Sequence, residues 1–476
     1  MSIRKRYRAV SLVMVLAFVM YCAACSKTTA PAETSQASEE SSMVIETTTE
    51  STTESTEETT AETSAGYISA DDIEIKDEIV NDRDSEHAIE VSGESQSYSN
   101  IKVTKTGDSN EGDKADFYGD NSAVFATDGA TLTLDNVVVD TDGKHANAVF
   151  SYGEGTTVNI SNSVITTSGN CSGGLMTTGG GTMNATNLNI HTTGNSSAAI
   201  RSDRGGGTVN VNGGSYVTDG KGSPAVYSTA DITVSNAYLE STSSQGVVVE
   251  GKNSVTLNNV ELVADNNSKN SDKSSVYQAV MIYQSMSGDA SVGLASFSVT
   301  GGSITNKNGD IFFVNNTAAT ITLNNVEVVN QDAEGVFLRA EAAGWGKEGS
   351  NGGKVNLYLN NQTLTGDMVV DEISVLNFYM DSSTTYTGAV NADNEGEVYV
   401  QIETGSKWVL TGDSYITSLT CDADSIDLNG HTLYVNGVAY TAGESSEGLA
   451  IEIVSESSGG GGHSDKPGDP PGNKPD

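Results

Sequence analysis

One eight-residue motif, Φ-x-Φ-x-[Asn/Gly]-x-x-Φ with Φ apolar, occurs ten times between Leu132 and Leu433, and it constrains this chain more than any other feature. Copies begin at Leu132, Val158, Met183, Val209, Ile232, Val255, Phe297, Ile321, Leu357 and Ile426. The first six starts are separated by 26, 25, 26, 23 and 23 residues; the spacing widens to 42 at an insertion and returns to 24. A fixed period of this length means a solenoid in which each repeat buries its apolar face against its neighbours. Alternation within the motif gives a short strand with two inward residues. The fifth position (Asn136, Asn162, Asn187, Gly213, Asn236, Asn259, Gly301, Asn325, Asn361, Gly430) is always Asn or Gly, the residues that tolerate left-handed backbone. Stacked once per coil, these side chains can bond from rung to rung. Turn chemistry explains the column without any catalytic role.

Leucine-rich repeats share the period but need a Leu-rich consensus, often with a helix per unit, and propeller blades are longer. Here Thr, Asn, Ser, Gly and Val dominate, and no long 3.6-residue periodicity is present. The fold expected is all-β: a right-handed, single-stranded parallel β-helix over residues 67–456, with 406–443 as its C-terminal capping segment. Between the flanking segments only Pro224 interrupts the ladder of donors. Cys171 and Cys421 lie about ten coils apart, at least about 40 Å at the rise of stacked strands, so no disulfide joins them.

The flanks read differently. A basic start (Arg4, Lys5, Arg6, Arg8) precedes an apolar run from Ala9 to Tyr21, long enough for a signal-peptide core and too short for a membrane span. Cys22-Ala23-Ala24-Cys25 follows and looks like a bacterial lipobox, with Cys22 where Leu is usual. Residues 1–24 are therefore expected to be removed and Cys25 to carry lipid, placing the protein on the outer side of the cell membrane. Residues 25–66, nearly all Ser, Thr and Glu, cannot bury enough surface to fold and read as a disordered stalk. Residues 457–476 form a Gly/Pro-rich tail holding four of the six prolines.

Beyond the signal segment, 20 basic residues stand against 63 acidic ones. Such a chain is repelled by nucleic-acid phosphates and by anionic membrane surfaces, so no nucleic-acid partner is expected and the membrane is reached only through the anchor. An acidic, soluble extracellular monomer is the plain reading; divalent-cation binding is the sharper one.

Chemistry-bearing patterns are sparse. Five histidines (87, 145, 191, 431, 463) show no metal-ligand spacing. The outward residue of each motif strand (Thr133, Asn159, Asn184, Asn210, Thr233, Thr256, Ser298, Thr322, Tyr358, Asp427) makes a polar, nearly uncharged face, unlike the Asp clusters of β-helix pectinases and lyases. No catalytic residue is assigned, and an enzyme rests on fold analogy alone. Asp108, Asn110 and Glu111 loosely echo a calcium loop, but Gly119 stands where the closing Glu is needed, so a solvated loop is the better expectation. After each Thr-x-Gly bend comes a second short strand, in which Phe150, Met176, Arg201 and Tyr227 share one offset. An Arg would not face the core unpaired, so this column is expected to point outward as a candidate ligand groove, unless long loops cover it. Trp345 is a second candidate platform, whereas Trp408 is expected to cap the core.

Several segments carry a family resemblance: DFYGDNSAVFA (116–126), DRGGGTVNV (203–211), GSPAVYSTADITVSNA (222–237), VMIYQSMSGDAS (280–291), GWGKEGSNGGKV (344–355) and SKWVLTGDSYITSL (406–419). They resemble the adhesin-like parallel β-helix surface lipoproteins of anaerobic gut bacteria, over about 350 residues. The last is also similar to the closing segment of autotransporter passenger domains, though no translocator barrel is expected after it. The resemblance implies a surface protein that binds host or microbial glycan or protein; a polysaccharide lyase or glycoside hydrolase on the same scaffold is the alternative.

Overall fold

The computed structural model describes residues 68–454, except 270, 275 and 382. The signal segment, Cys25, the stalk and the tail lie outside the described residues. The rest is a parallel β-helix. One long sheet runs through 14 successive strands from Asp77–Asn81 to Ser418–Thr420, and a second runs through 11 from Ile89–Ser92 to Met368–Val370. Four- and three-stranded sheets join them toward the C-terminal end. Neighbouring strands pair in parallel, coil upon coil; the exception among the named strands is the antiparallel pair Leu433–Val435 and Val438–Ala439. At the rise of stacked strands, 14 rungs span roughly 60 Å.

The motif's inward pairs are the core. Leu132 and Leu134, Val158 and Ile160, Met183 and Ala185, and their successors to Leu357 and Leu359 are all buried. Nine of the ten Asn/Gly positions stack in register, from Asn136 to Asn361. All nine have positive φ, between 47° and 77°. The amides bond along the stack: Asn187 Nδ2 donates to Asn162 Oδ1 at 2.9 Å, and Asn259 Nδ2 to Asn236 Oδ1 at 3.1 Å. Two details differ from the sequence pattern. The copy at Ile426 lies in the four-stranded sheet opposite Trp408, so Gly430 turns the chain outside the column. The column extends instead to Asn100 (φ 56°), in the strand paired with that of Asn136; Gln96 occupies the first Φ position there and hides the match.

Asn162→Val is therefore expected to lower stability by about 1–3 kcal/mol, because a β-branched residue resists φ near 47° and the bonds to Asp135 and Asn187 go with the amide. Equilibrium urea unfolding measures this; a midpoint equal to wild type would place the left-handed bend elsewhere.

A second ladder forms at the Thr-x-Gly bends. Ser172 Oγ donates to Gly143 O and Ser197 Oγ to Gly169 O, at 2.8 and 3.1 Å, while each hydroxyl accepts a backbone N–H from the preceding coil at 2.9 Å. Gly107, Gly143, Gly169, Gly194 and Gly220 stack so closely that a Cβ on any of them would lie 1.8–2.0 Å from a carbonyl oxygen of the coil before.

The ends are closed differently. The first strand, Asp77–Asn81, is an edge carrying exposed Asp77 and Glu78, charges that oppose pairing with another chain. Residues 68–75 run as a strap across the outside of later coils. Ile68, Ile73 and Ile75 pack on Val138 and Val164, and Asn189 Nδ2 donates to Ile68 O at 3.1 Å. At the C-terminal end Trp408 is fully buried, its Nε1 donating to Gly388 O at 2.9 Å. Cys171 and Cys421 are both buried and form no disulfide.

Candidate functional site

Strand register sets Phe150, Met176, Arg201 and Tyr227 side by side on four successive coils of the shorter sheet. They do not line an open groove. Phe150 and Met176 are fully buried in a cluster with Phe125 and Tyr152, which corrects the expectation of an exposed column. The cover is the 108–120 segment, which carries a short helix, α1 (Asp113–Tyr118), capped by Gly119 in left-handed conformation (φ 82°). Gly119 lies so close to Phe125 that a Cβ there would be 2.3 Å from its ring, Tyr118 meets Tyr152 edge-on, and Thr178 Oγ1 donates to Phe117 O at 2.6 Å. The physical reason is ordinary: outward apolar side chains bury themselves when a loop is long enough to cross them. Trp345 is likewise buried, packed against Tyr283, Val248, Met281 and Phe313, so it offers no open platform. Asp108, Asn110 and Glu111 sit exposed on the same segment; Asp108 Oδ1 accepts the Lys144 N–H at 2.7 Å, and Glu111 lies 3.8 Å from Lys114.

What α1 covers is also charged. Asp116, 1% exposed, receives Asn147 Nδ2 at 3.2 Å and lies 3.2 Å from His145 Nδ1 and 3.5 Å from Arg201. Burial pushes its carboxyl up, but Arg201, His145 and Asn147 together outweigh burial and hold it below the usual range. Arg201 also donates to Asp203 at 2.8 Å. Asp203 keeps less compensation: burial, with help from Asp289 and Asp116, drives its carboxyl up to about 7 against the pull of Arg201. Arg204 next door grips Asp289 Oδ1 with Nε and Nη2 and lies 4.1 Å above the Phe117 ring. Further along, Glu250 is buried and accepts from Tyr227, Tyr283 and Ser285; burial raises its carboxyl despite those donors.

Compared with family models, curated proteins and solved structures, this chain matches none. The site must therefore be read from its own residues. Sequence reasoning missed this charged face because its members come from unlike places: a helical insert, strand ends and the 284–292 loop. The one available signal was periodic. His145, Cys171 and Ser196 follow one another at the coil repeat and share positive φ of 57°, 58° and 56°.

The outer face of the long sheet is the opposite in character. Thr131, Thr157, Thr182 and Thr208 form one column, and Thr133, Asn159, Asn184 and Asn210 the next. Asn184 Nδ2 donates to Asn159 Oδ1 at 2.9 Å and Asn210 Nδ2 to Asn184 Oδ1 at 3.0 Å, so the amides are held in line. The second column continues through Thr233, Thr256, Ser298 and Thr322 to Tyr358 and Tyr379, half-buried rings stacked 4.5 Å apart at 6°, and then to Gln401 and Thr420.

Proposed function

We propose that this is a lipid-anchored surface protein, attached through Cys25, that binds an uncharged stretch of a surface glycan along the outer face of its long sheet. The observation that carries the reading is the pair of columns just described: aligned hydroxyls and amides, one rung apart, leading onto a tyrosine stack. Hydroxyl and amide groups match the donors and acceptors of sugars, and aromatic faces suit the apolar side of a sugar ring. The net charge of −39 favours neutral polymers over polyanions.

One experiment tests both halves. Cells displaying the wild-type chain, and the purified protein, are screened against a panel of neutral and acidic glycans. Cys25→Ser should move protein and binding together into the medium. Tyr358→Ala with Tyr379→Ala should leave the protein on the cell and weaken glycan binding by about tenfold or more, the loss of two stacking faces. Retention of Cys25→Ser on cells sinks the anchor; equal affinity of the tyrosine variant, or binding only to a protein partner, sinks the glycan face.

A second reading, a polysaccharide-active enzyme, draws on Asp203 and Glu250, two carboxyls whose affinities for protons are both raised. Shortening of a bound glycan by wild type but not by Asp203→Asn would favour it.

A further inference from the structure

Among the described residues, one set of metal-ligating side chains converges: a carboxylate oxygen of Asp116, a ring nitrogen of His145 and the Cys171 sulfur lie within 4.8 Å of one another, all buried. Its framework is rigid. His145 and Cys171 occupy the same left-handed bend on successive coils, tied by the backbone bonds His145 N–H to Asn170 O and Cys171 N–H to Asn195 O. Asp116 is delivered from outside by α1.

The polar atoms are poorly satisfied as they stand. His145 is 0% exposed, yet neither ring nitrogen has a hydrogen-bond partner. Its Nδ1 lies 3.2 Å from Asp116 Oδ1 without hydrogen-bond alignment, and Asp116 Oδ2 makes no hydrogen bond, facing Arg201 Nη1 only as an ion pair at 3.5 Å. Leaving a buried ring nitrogen without a hydrogen bond costs about 1–3 kcal/mol. Two ligands of one tetrahedral zinc, each about 2.0–2.1 Å from it, stand roughly 3.3 Å apart, and this nitrogen and this oxygen are 3.2 Å apart.

From this geometry we infer that Asp116, His145 and Cys171 bind one divalent transition-metal cation of the zinc class, which clamps the helical insert onto the solenoid. The donor set selects the ion. Sulfur and imidazole nitrogen suit zinc and its first-row neighbours, whereas calcium and magnesium take oxygen. A thiolate and a carboxylate neutralise the dication, and Arg201, 3.5 Å from Asp116, also bonds Asp203 at 2.8 Å. Asn147, donating to Asp116 at 3.2 Å, orients that ligand from behind. Three protein ligands leave one coordination position to a non-protein group.

The test uses the full chain, stripped with chelator and dialysed against zinc or cobalt(II). Wild type should hold about one equivalent of metal and melt higher with zinc than with chelator. Its cobalt form should show thiolate-to-metal charge-transfer absorption. Cys171→Ser should abolish that band, and Asp116→Asn and His145→Ala should each cut zinc occupancy about tenfold or more. A Cys22→Ser, Cys25→Ser, Cys421→Ser triple variant should keep both metal and band. Because the single variants could also loosen the insert, the deciding readout is the wild-type protein itself. Failure to retain either ion, or a cobalt spectrum without thiolate absorption, overturns the site, as does full zinc occupancy in Cys171→Ser.

Discussion

Gly169→Ala is expected to abolish the folded state or to cost more than about 4 kcal/mol, the far tail of single-substitution effects. The added Cβ would sit 2.0 Å from Gly143 O and 2.6 Å from its carbonyl carbon. Both are backbone, so no rotamer change relieves the clash. Nor can the coil shift, because Gly194 presses on Gly169 from the next coil just as Gly169 presses on Gly143. The control is Gly155→Ala, where φ is 79° but the nearest heavy atom to a Cβ is 3.8 Å away; only the left-handed backbone is penalised, at about 1 kcal/mol. Chemical denaturation of the three proteins compares them directly. A Gly169→Ala midpoint no lower than that of Gly155→Ala would refute the close stacking of these bends.

Stability should also fall as pH rises from about 4 to about 7, by several kcal/mol, and Asp203 should account for most of the slope. Its folded-state carboxyl titrates at about 7 against 3.8 in the reference state, so between those values the folded form binds the extra proton and loses ground as protons are withdrawn. Three units correspond to about 4 kcal/mol as an order of magnitude, fully in force above pH 7. Glu250, also raised by burial, acts with the same sign. Asp116 acts with the opposite sign: its lowered affinity for protons supports the fold above about pH 4 and is lost as pH drops below it. Urea unfolding at pH 4.5, 6 and 8 should show wild type weakening and Asp203→Asn weakening clearly less, the remaining slope coming from Glu250 and His145, both raised. A wild type that gains stability over that range, with Asp203→Asn unchanged from it, would show that Asp203 ionises freely.

Much of this architecture is readable in the chain because each coil repeats one local bargain: two inward apolar residues, a bend that needs Asn or Gly, and another strand. Leu132 and Leu134 reveal their strand without help from distant residues. The pattern fails where it is silent about side. Ile426 and Gly430 satisfy it, yet Ile426 belongs to another sheet and Gly430 lies in a turn beyond it, while Asn100 belongs to the column and fails it only at Gln96. The column Phe150–Tyr227 shows the same limit, since periodicity sets register but not what lies above it. Its lid is six residues of helix inside a stretch rich in charge and glycine, too short for any helical period to register. His145 and Cys171 were hidden for a related reason. Metal ligands are usually sought within a few residues of each other, but in a solenoid neighbours in space are one full coil apart in sequence.

The strap over residues 68–75 has a mechanical meaning. The chain enters beside Asn189 and runs back over Val164 and Val138 before the first strand begins. Tension applied upstream of Ile68 would otherwise peel Asp77–Asn81 from the ladder one bond at a time. Instead it is delivered several coils into the rod, against a hydrophobic seat and an amide clamp. The edge strand Asp77–Asn81 is thereby taken out of the line of force.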